Sequence, residues 1–452
     1  MGRLKNQKVL VAGLGASGIS AVKLLAEKGA RPRVSELKPM EALSDEQRRV
    51  LDFCESYETG TNSIGAFRAV DLVVISPGVP MDIPAIRAAK DANIPVISEI
   101  ELAWREIQIP VAAITGTNGK STVTTIAGEI LRESGRSPFV GGNLGKPFSE
   151  LAIEPARYDC AVIELSSFQL ETCPSFKPKV AVVTNISQDH QDRYADHASY
   201  VAAKANIFAH QTSDDFAVLN RDNSATMQMI AGLKSKVFTF GWEKSDQFGK
   251  GAWMDGDRII MAGPFGKDEI DISKFLLPGR HNRLNLMAAA LSARLLGASS
   301  DAISRTSKQF VGLSHRLQFV AEIDGVKWYD DSKATTIDSV IVALEALSGP
   351  VVLLLGGYDK GADFAELIPA LKGKVKLVVC FGTAGPKIQK ALENTAPTIL
   401  VPDFASAMKA AAFSASPGDQ VALSPACASF DEFTNYAARG EAFRRWVLDR
   451  SN

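Results

Sequence analysis

The sequence predicts an α/β protein with mainly parallel sheets, and its length predicts more than one domain. At about 150 residues per domain, 452 residues correspond to roughly three domains. Hydrophobic residues make up 46% of the chain, enough to form buried cores. Short β-branched runs recur, each followed by a glycine-rich turn and a helical period, which is typical of βαβ units. We place the borders near residues 103 and 311, giving predicted domains 1–103, 104–311 and 312–452.

The predicted strands are β-branched runs that end in small or polar residues. They cover residues 8–12, 30–35, 72–76, 111–115, 161–165, 180–185, 351–355, 376–381 and 420–424, with a further strand near 317–323. The stretch 232–274 is predicted as short antiparallel strands or loops inserted in the middle domain. Because open α/β sheets bind ligands beyond the carboxyl ends of their strands, function is expected at these ends.

Charge and cysteine usage exclude several classes of protein. The chain has 50 Lys and Arg against 51 Asp and Glu, so it lacks the basic excess of a nucleic-acid-binding protein. Its 5 cysteines include no Cys-x-x-Cys pair, which favours a reducing compartment. No apolar run approaches the ~18 residues that a membrane span needs. We therefore expect a cytoplasmic protein with neither a nucleic-acid nor a membrane partner.

The first glycine-rich motif, Gly13-Leu14-Gly15-Ala16-Ser17-Gly18, lies between a predicted strand and the helical run 19–28. Glycines at these positions allow a tight turn and let backbone N–H groups approach a pyrophosphate. Glu36 ends the next strand, where an acid would accept a hydrogen bond from a ribose hydroxyl. The motif predicts a nucleoside diphosphate site; the alternative is a strand–helix turn that binds nothing.

The second motif is Ile114-Thr115-Gly116-Thr117-Asn118-Gly119-Lys120-Ser121-Thr122. It departs from the strict P-loop pattern because Ile114 stands where the first glycine belongs. It still supplies amide donors, an ammonium group and a hydroxyl suited to phosphates and Mg²⁺. We expect it to bind ATP, against the alternative of an accidental Gly-Lys-Ser turn. Since a dehydrogenase explains only the first motif and a plain ATPase only the second, ATP is expected to act on something that carries a nucleotide.

Several motifs together resemble those of the Mur ligases of peptidoglycan synthesis. The runs that carry this resemblance are GTNGKST at 116–122, ELSSFQL at 164–170 and DHQDRY at 189–194. DSKAT at 331–335 and SPACAS at 424–429 look like the D-glutamate-adding members of that family. The resemblance extends from Gly13 to beyond Ser429. It implies an N-terminal Rossmann-like domain for a UDP group, a central P-loop-type ATPase domain with a mainly parallel sheet, and a C-terminal Rossmann-like domain.

The resemblance also implies a reaction. ATP would phosphorylate the alanyl carboxylate of UDP-N-acetylmuramoyl-L-alanine to an acyl phosphate, because a carboxylate is a poor electrophile until it carries a leaving group. The amine of D-glutamate would then displace phosphate and form an amide. These two substrates are the expected partners, and we expect a monomer.

The same resemblance implies roles for four catalytic residues. Lys120 would neutralise charge on the transferring phosphate, and Glu164 would bind the Mg²⁺ of ATP together with Ser121. His190 would bind a second Mg²⁺, and Lys204 would carry a carbamate formed from CO₂. The alternatives are a solvated lysine at a helix start, an arginine partner for Glu164, an ordinary surface or core histidine and an ordinary helix lysine. The implied metal ligands are Ser121, Glu164, His190 and Lys204.

Further residues are implied to contact ATP. These are Gly116, Thr117, Asn118, Gly119, Lys120, Ser121, Thr122, Asn143, Asn282, Asn285, Arg316 and Asp331. Two of them have competing interpretations, because Asn143 lies in a glycine-rich turn and Asn282 could cap the helix that follows it.

Two substrate pockets follow from the same resemblance. The UDP-sugar residues would be Gly15, Ala16, Ser17, Glu36, Lys38, Ser76, Gly78, Asn143, Ser166 and Gln169. The D-glutamate residues would be Lys333, Thr335, Lys360, Ser429, Phe430 and Tyr436. They offer the cations and hydroxyls that a dicarboxylate needs, although Lys360 could be a mere loop charge. Glu36-Leu37-Lys38 departs from the Asp-Thr-Arg commonly found there, so a carboxylate and a cation are kept while a hydroxyl is lost.

Three alternative functions differ from this interpretation. A relative could add another amino acid, such as L-glutamate, or act on folate, and a non-catalytic nucleotide sensor could share the fold. The first glycine-rich motif argues against a folate enzyme, and the absence of an Asp-Asn-Pro-Lys sequence argues against the diamino-acid-adding member. A sensor would have no need for Lys120, Glu164, His190 and Lys204 together.

Overall fold

The computed structural model describes residues 4–187, 194 and 196–450. Within them the strands form three sheets, each accompanied by helices, so the α/β class is confirmed. The chain divides into two compact units. The first contains the residues up to Phe275 together with Leu284–Gln309, and the second contains Leu276–Arg283 together with the chain from Phe310 onward. The domain borders near residues 103 and 311 stay predictions.

The first sheet is parallel throughout and belongs to the first unit. Its strands are β1 (Lys8–Ala12), β2 (Arg31–Glu36), β3 (Ser56–Thr59), β4 (Leu72–Ile75) and β5 (Val96–Ser98), in the order β3-β2-β1-β4-β5. The helices are α1 (Ala16–Glu27), α2 (Asp45–Val50), α3 (Ile64–Arg68), α4 (Pro84–Asp91) and α5 (Glu99–Trp104), with short 3-10 helices at Met40–Ala42 and Leu51–Phe53. This is the Rossmann-like order, and its switch point lies between β1 and β4, where the Gly13 turn begins.

The second sheet, also in the first unit, is parallel from β7 to β12 and ends in antiparallel strands. Its strands are β6 (Val111–Thr115), β7 (Pro138–Gly142), β8 (Cys160–Glu164), β9 (Val180–Val183), β10 (Phe216–Asn220), β11 (Lys236–Gly241), β12 (Gly251–Asp255), β13 (Arg258–Gly263) and β14 (Gly266–Asp271). Their order is β14-β13-β12-β11-β10-β9-β6-β8-β7.

Helices and short 3-10 segments lie between these strands or follow the last of them. They are α6 (Lys120–Glu133), α7 (Ser149–Ile153), α8 (Ser167–Leu170), α9 (His197–Ala205), α10 (Ser224–Gln228), α11 (Arg280–Leu295) and α12 (Ser300–Gln309), with 3-10 helices at Pro155–Arg157 and Asn206–Phe208. The antiparallel prediction for 232–274 is confirmed for β12 to β14 but wrong for β11. That strand pairs in parallel with β10, and its side chains from Phe238 to Gly241 are buried, so it forms part of the main sheet.

The third sheet forms the second unit. Its strands are β15 (Gln318–Ile323), β16 (Val326–Asp330), β17 (Val351–Gly356), β18 (Val375–Phe381), β19 (Thr398–Leu400) and β20 (Gln420–Leu423), in the order β15-β16-β20-β17-β18-β19. Its helices are α13 (Ile337–Ala346), α14 (Ile368–Leu371), α15 (Gly385–Leu392), α16 (Phe404–Ser414) and α17 (Tyr436–Arg450), with a 3-10 helix at Phe364–Leu367. Only β15 pairs in antiparallel fashion, with β16, among these described strands.

The central strands are buried on both faces. Every residue of β6, β8 and β17 is buried, which explains why these segments are apolar in sequence up to the terminal Thr115 of β6 and Glu164 of β8. In the first unit, α1 and α5 pack against α7, so the two sheets of that unit share buried helices. No helix in the described part of the chain has the length and apolar character needed to span a membrane.

Candidate active site

The second glycine-rich motif forms a tight loop between β6 and α6. Gly116 has φ +141°, and a Cβ atom there would lie 2.0 Å from Thr184 Oγ1. Gly119 has φ +81°, and a Cβ atom there would lie 2.3 Å from Asn285 Oδ1. Both positions therefore require glycine, for the backbone conformation and for the close approach of a neighbour. The structure also brings Asn285, predicted to contact ATP, directly against this loop.

Both predicted catalytic lysines contact the same loop. Lys120 is the first residue of α6, and its Nζ donates to the Thr117 carbonyl at 2.8 Å. Lys204 lies on α9, where only 2% of it is exposed, and its Nζ donates to the Gly116 carbonyl at 2.9 Å. The Lys204 ammonium also lies 4.6 Å from the ring centroid of Tyr200. The structure thus gathers both amines at the loop that is expected to hold phosphate.

Three predicted residues from three different elements form one hydrogen-bonded group. Ser121 Oγ donates to Glu164 Oε2 at 2.6 Å, and Asn143 Nδ2 donates to Glu164 Oε1 at 2.9 Å. The backbone N–H of Asn143 also donates to the Glu164 carbonyl at 2.8 Å. Glu164 ends β8 and is 4% exposed. Its carboxylate is therefore held in one orientation beside the start of α6.

This group fits a magnesium ion in the chemistry of its donors. A hydroxyl and a carboxylate are hard oxygen ligands of the kind that Mg²⁺ prefers, with phosphate oxygens completing its shell. Within residues 4–187, 194 and 196–450, no three His, Cys, Asp or Glu side chains gather as a metal site. His190, predicted to bind a second Mg²⁺, lies outside the described residues.

A cavity of about 640 Å³ opens at the switch point of the first sheet. The sequence-predicted residues that line it are Gly15, Ala16, Ser17, Glu36, Lys38, Ser76 and Gly78. Gln47 and Asn62 also line it and were missed from the sequence. Gln47 Nε2 donates to the Leu14 carbonyl at 2.7 Å from helix α2, a contact between distant segments that leaves no local signal.

Glu36 is engaged by the protein's own backbone at the edge of this cavity. Its Oε2 accepts from the Leu14 N–H at 2.6 Å, and its Oε1 accepts from the Lys38 N–H at 2.9 Å. Opposite it, Ser76 Oγ donates to the Gly13 carbonyl at 2.8 Å. Glu36 and Ser76 therefore stabilise the shape of the cradle, and a direct contact of Glu36 with a ribose stays a prediction.

Ser166, Gln169 and Asn143 do not line this cavity, although all three were predicted for the UDP-sugar. Ser166 and Gln169 instead cap the short helix α8. Gln169 N–H donates to Ser166 Oγ at 3.2 Å, and Ser166 N–H donates to Gln169 Oε1 at 2.9 Å. This reciprocal arrangement satisfies two amides that α8 leaves unpaired at its start.

In the second unit, Asp331 is buried beside Arg316. Asp331 Oδ1 accepts from the Leu317 N–H at 3.0 Å, and its Oδ2 accepts from Ser424 Oγ at 2.7 Å. Burial raises the pKa of Asp331 to about 7, while the Ser424 hydroxyl and the charge of Arg316 act in the opposite direction. The two residues predicted to reach the nucleotide from this unit are thus electrostatically coupled.

The predicted D-glutamate residues come from neighbouring loops of the second unit. Lys333 Nζ lies 5.1 Å from the ring centroid of Tyr436, and Thr335 N–H donates to the Lys333 carbonyl at 2.9 Å. Ser429 is buried, whereas Phe430 is 66% exposed. Lys360 is exposed on a loop that begins beside Tyr358. Tyr358 exchanges two backbone hydrogen bonds with Ala428, so this loop lies next to the Ser429 segment.

Arg439 is a residue that the sequence reasoning missed. It is fully buried on α17, where burial lowers its pKa to about 10. Its Nε donates to Ser332 Oγ at 2.9 Å, and its Nη2 donates to the carbonyls of Ser332 and Cys427 at 2.9 and 3.1 Å. Its Nη1 donates to the Ala428 carbonyl at 3.2 Å. One guanidinium therefore joins the segments that precede Lys333 and Ser429, and no local pattern in the sequence indicates this.

Asn282 does not cap the helix that carries it. Helix α11 begins at Arg280, so Asn282 is already inside the helix, and its Nδ2 donates to the Pro278 carbonyl at 2.7 Å. The capping alternative is wrong for this reason. Asn282 belongs to the second unit and Asn285 to the first.

Comparison with known proteins identifies related chains along the full length. The chain matches the MurD-like N-terminal domain of Mur ligases over residues 7–98, the Mur ligase middle domain over 114–293, and the Mur ligase glutamate ligase domain over 315–427. It is 41% identical to the UDP-N-acetylmuramoylalanine–D-glutamate ligase of Acidobacterium capsulatum, over 98% of this chain and 97% of the relative. It is 42% identical to the enzyme of the same name from Syntrophus aciditrophicus, over 98% of both chains.

Solved structures share the fold at lower identity. A pseudomurein peptide ligase type C from Methanothermus fervidus superposes with a TM-score of 0.61 at 18% identity, covering 99% of this chain and 100% of the other. UDP-N-acetylmuramate–alanine ligase from Thermotoga maritima gives a TM-score of 0.60 at 18% identity, covering 98% and 100%. With full-length relatives at about two-fifths identity and all three domains matched, the chain belongs to the Mur ligase family, in the group of the UDP-N-acetylmuramoylalanine–D-glutamate ligases.

Proposed function

We propose that this chain joins D-glutamate to UDP-N-acetylmuramoyl-L-alanine at the expense of ATP, in the cytoplasmic synthesis of peptidoglycan precursors. The observation that carries the proposal is the 41–42% identity to ligases of that name over 97–98% of their length. The cavity at the Gly13 turn and the phosphate loop at Gly116, both in the first unit, support it. In this proposal the cavity binds the nucleotide sugar and the phosphate loop binds ATP.

The reaction has two steps. In the first, an oxygen of the alanyl carboxylate attacks the γ-phosphorus of ATP, the bond to the β-phosphate oxygen breaks, and ADP leaves. In the second, the amine of D-glutamate attacks the acyl carbon, phosphate leaves with the bonding electron pair, and the amine loses a proton. The products are the amide, ADP and phosphate. Binding of the remote UDP group orients the alanyl carboxylate for the first step.

The residues around the phosphate loop have distinct roles in the first step. Lys120 neutralises negative charge on the transferring phosphate. Glu164 and Ser121 hold Mg²⁺, which supplies charge neutralisation on the ATP phosphates when bound. Asn143 keeps the Glu164 carboxylate oriented through its bond to Oε1. The hydrogen-bonded pair at 2.6 Å that Ser121 and Glu164 form supports this assignment.

We also propose that Lys204 carries a carbamate and acts with His190 at a second Mg²⁺. The neutral amine adds to CO₂, forming an N–C bond and releasing one proton, and the product has two oxygens that share one negative charge in place of an ammonium group. The burial of Lys204 and its hydrogen bond to the Gly116 carbonyl support a role at the phosphate loop.

The second unit binds the amino-acid substrate. Lys333, Thr335, Lys360 and Ser429 bind the two carboxylates of D-glutamate with Phe430 and Tyr436 beside them, while Arg316 and Asp331 contact the nucleotide. Two contacts support one pocket formed by these residues. The Lys333 ammonium lies near the Tyr436 ring, and Tyr358 is hydrogen-bonded to Ala428, which places the Lys360 loop next to the Ser429 segment. We expect the chain to act as a monomer, which size-exclusion chromatography with light scattering would test.

Phosphate release from ATP tests the function directly. The protein is incubated with Mg²⁺, ATP, UDP-N-acetylmuramoyl-L-alanine and one amino acid at a time from matched D and L sets. We expect turnover with D-glutamate that disappears when either substrate is omitted. Equal release without the nucleotide sugar would contradict the proposal, and preference for L-glutamate or a diamino acid would assign the chain to another branch of the family.

A further inference from the structure

We infer that Asn185 is a positioning residue of the phosphate loop, which it holds in the conformation that receives ATP. The inference rests on the proposed function, since it assumes that this loop binds the ATP phosphates. Asn185 follows strand β9, whereas the loop follows β6, its neighbour in the sheet. Neither the nucleotide-binding nor the metal-binding assignments above include this residue.

The side chain of Asn185 pairs with the backbone of one loop residue, Asn118. Asn118 N–H donates to Asn185 Oδ1 at 3.0 Å, and Asn185 Nδ2 donates to the Asn118 carbonyl at 3.0 Å. The pairing fixes which amide atom faces which partner, because the reversed side chain would place donor against donor and acceptor against acceptor. The carboxamide therefore acts on the loop as an additional strand residue would.

Two further bonds complete this contact. The Thr117 N–H donates to the backbone carbonyl of Asn185 at 2.8 Å, and Thr184 Oγ1 donates to the Asn118 carbonyl at 2.6 Å. The backbone of Asn118 is thus bonded at both its N–H and its carbonyl group. Both the Thr117 and the Asn118 amides point toward the end of β9, so the amides offered to phosphate begin with Gly119 and continue into the first turn of α6.

The segment that carries Asn185 is itself fixed from the opposite side. Asn220 Nδ2 donates to the Thr184 carbonyl at 2.8 Å. Asn223 makes a second reciprocal pair, accepting from the Ile186 N–H at 3.3 Å and donating to the Ile186 carbonyl at 3.1 Å. Asn185 therefore acts from a rigid base, and its effect on the loop is positional.

In this arrangement Asn185 positions the loop, whereas the amides from Gly119 onward bind the phosphates. Gly116 and Gly119 lack a Cβ atom, so the backbone of the loop has conformational freedom that must be lost before an anion is bound. Hydrogen bonds to the N–H and the carbonyl group of Asn118 remove that freedom in advance. Without it, ATP would have to order the loop on binding, so its affinity would fall, while binding of the nucleotide sugar and of D-glutamate would not change.

The test compares Asn185→Ala, Thr184→Val and the double variant with the parent. Asn93→Ala is the matched control. Asn93 is exposed, follows α4 and has φ +56°, so alanine there should lower the stability of the protein without changing the phosphate loop. For each protein we measure the melting temperature, the affinity for a non-hydrolysable ATP analogue with Mg²⁺ by calorimetry, and kcat and KM for each of the three substrates.

We expect Asn185→Ala to weaken analogue binding and raise the KM for ATP about 10-fold to 100-fold, with the other two KM values within about twofold. Thr184→Val should act in the same direction more weakly, and the double variant should fall short of the product of the two effects, because both act through one carbonyl. Asn93→Ala should lower only the melting temperature.

Analogue affinity and ATP KM within twofold of the parent, in a folded Asn185→Ala protein, would overturn the inference, as would an equal rise in all three KM values. If Asn185→Ala does not fold, Thr184→Val decides in the same way. Calorimetry measures the affinity of the loop for the ATP analogue even if the parent is inactive with D-glutamate. Such inactivity would count against the proposed function and not against the role of Asn185.

Discussion

Ser121 and Glu164 form a hydroxyl–carboxylate hydrogen bond of 2.6 Å across 43 positions of the sequence. The parallel sheet explains it, because β6 and β8 are neighbours whose carboxyl ends lie at the same edge. Asn143, which follows β7, engages the other carboxylate oxygen. The site is thus preformed by three adjacent strand ends, and its side chains need little rearrangement to accept a cation.

Replacement of Glu164 by glutamine should lower kcat about 100-fold or more, because an amide cannot supply the negative charge that Mg²⁺ needs. Glutamine keeps the shape and one acceptor, so the melting temperature should stay near that of the parent. Phosphate release measured across a Mg²⁺ titration checks this. Ser121→Ala is the graded comparison, with a smaller loss. Full activity of Glu164→Gln at ordinary Mg²⁺ would remove Glu164 from the metal site.

Loss of the Ser424 hydroxyl should move the titration of Asp331 to higher pH. That hydroxyl donates to Asp331 Oδ2 and so favours the ionised carboxylate. Burial acts in the opposite direction and raises the pKa of Asp331 to about 7. In Ser424→Ala the pKa should rise by about one unit. If the ionised carboxylate is needed, the acidic limb of the pH profile of kcat/KM for ATP shifts upward by the same amount. An unchanged limb would mean that another group sets it.

Local sequence was sufficient for the strand ends that carry the site. Gly13 and Gly116 lie directly after strands and Gly119 lies directly before α6, and all three glycines have positive φ values that the sequence pattern predicts. Strand β8 was recognisable because a buried parallel strand is an unbroken apolar run. Short or unusual strands escaped prediction, such as Val96–Ser98 with three residues and Pro138–Gly142 with a proline and two glycines.

Contacts between distant segments could not be predicted from local patterns. Arg439 lies on a helix with little amphipathic pattern, and its partner Ser332 is 107 positions away in the sequence. Ser166 and Gln169 were assigned to the UDP-sugar through resemblance alone, whereas their spacing of three residues also fits a capping box. The same residue types at the same spacing can cap a helix or bind a ligand, so the sequence alone does not decide between the two roles.

Arg439→Lys should lower the free energy of unfolding by about 3 kcal/mol, because a lysine cannot satisfy all of the buried carbonyls that the guanidinium bonds. The KM for D-glutamate should rise more than the KM for UDP-N-acetylmuramoyl-L-alanine, since Arg439 joins the segments before Lys333 and Ser429. Denaturant unfolding and steady-state kinetics measure the two effects. Arg450→Lys, at the exposed end of the same helix, is the control. Equal effects from both substitutions would contradict the assigned role.

Glu99→Gln should make stability less dependent on pH. Glu99 is buried on α5 and accepts from the Ser149 N–H with one oxygen, while burial raises its pKa to about 7. The folded state therefore binds a proton that the unfolded state releases near its ordinary value of 4.5. The stabilisation present at low pH is lost as the pH rises from about 4.5 to 7, by about 3 kcal/mol in total.

The glutamine variant resembles the neutral form at every pH, so it should gain stability relative to the parent across that interval. Urea unfolding at pH 5 and at pH 8 measures the difference, with Glu41→Gln, at an exposed position of the first unit, as the control. A parent-minus-variant difference that is the same at both pH values would mean that Glu99 is ionised in the folded protein throughout.

Replacement of Lys204 should abolish most activity, and the choice of replacement separates two roles. Lys204→Arg keeps a cation that can donate to the Gly116 carbonyl, but arginine has no neutral amine at neutral pH with which to bind CO₂. If the proposed carbamate is required, Lys204→Arg and Lys204→Ala are both inactive, and added bicarbonate restores neither.

In ¹³C-bicarbonate, the parent should give a carbamate carbon signal by NMR that both variants lack. Melting temperatures near that of the parent show that the loss is not one of folding. High activity in Lys204→Arg, or the same signal in all three proteins, would show that Lys204 acts through its charge and its bond to the phosphate loop alone.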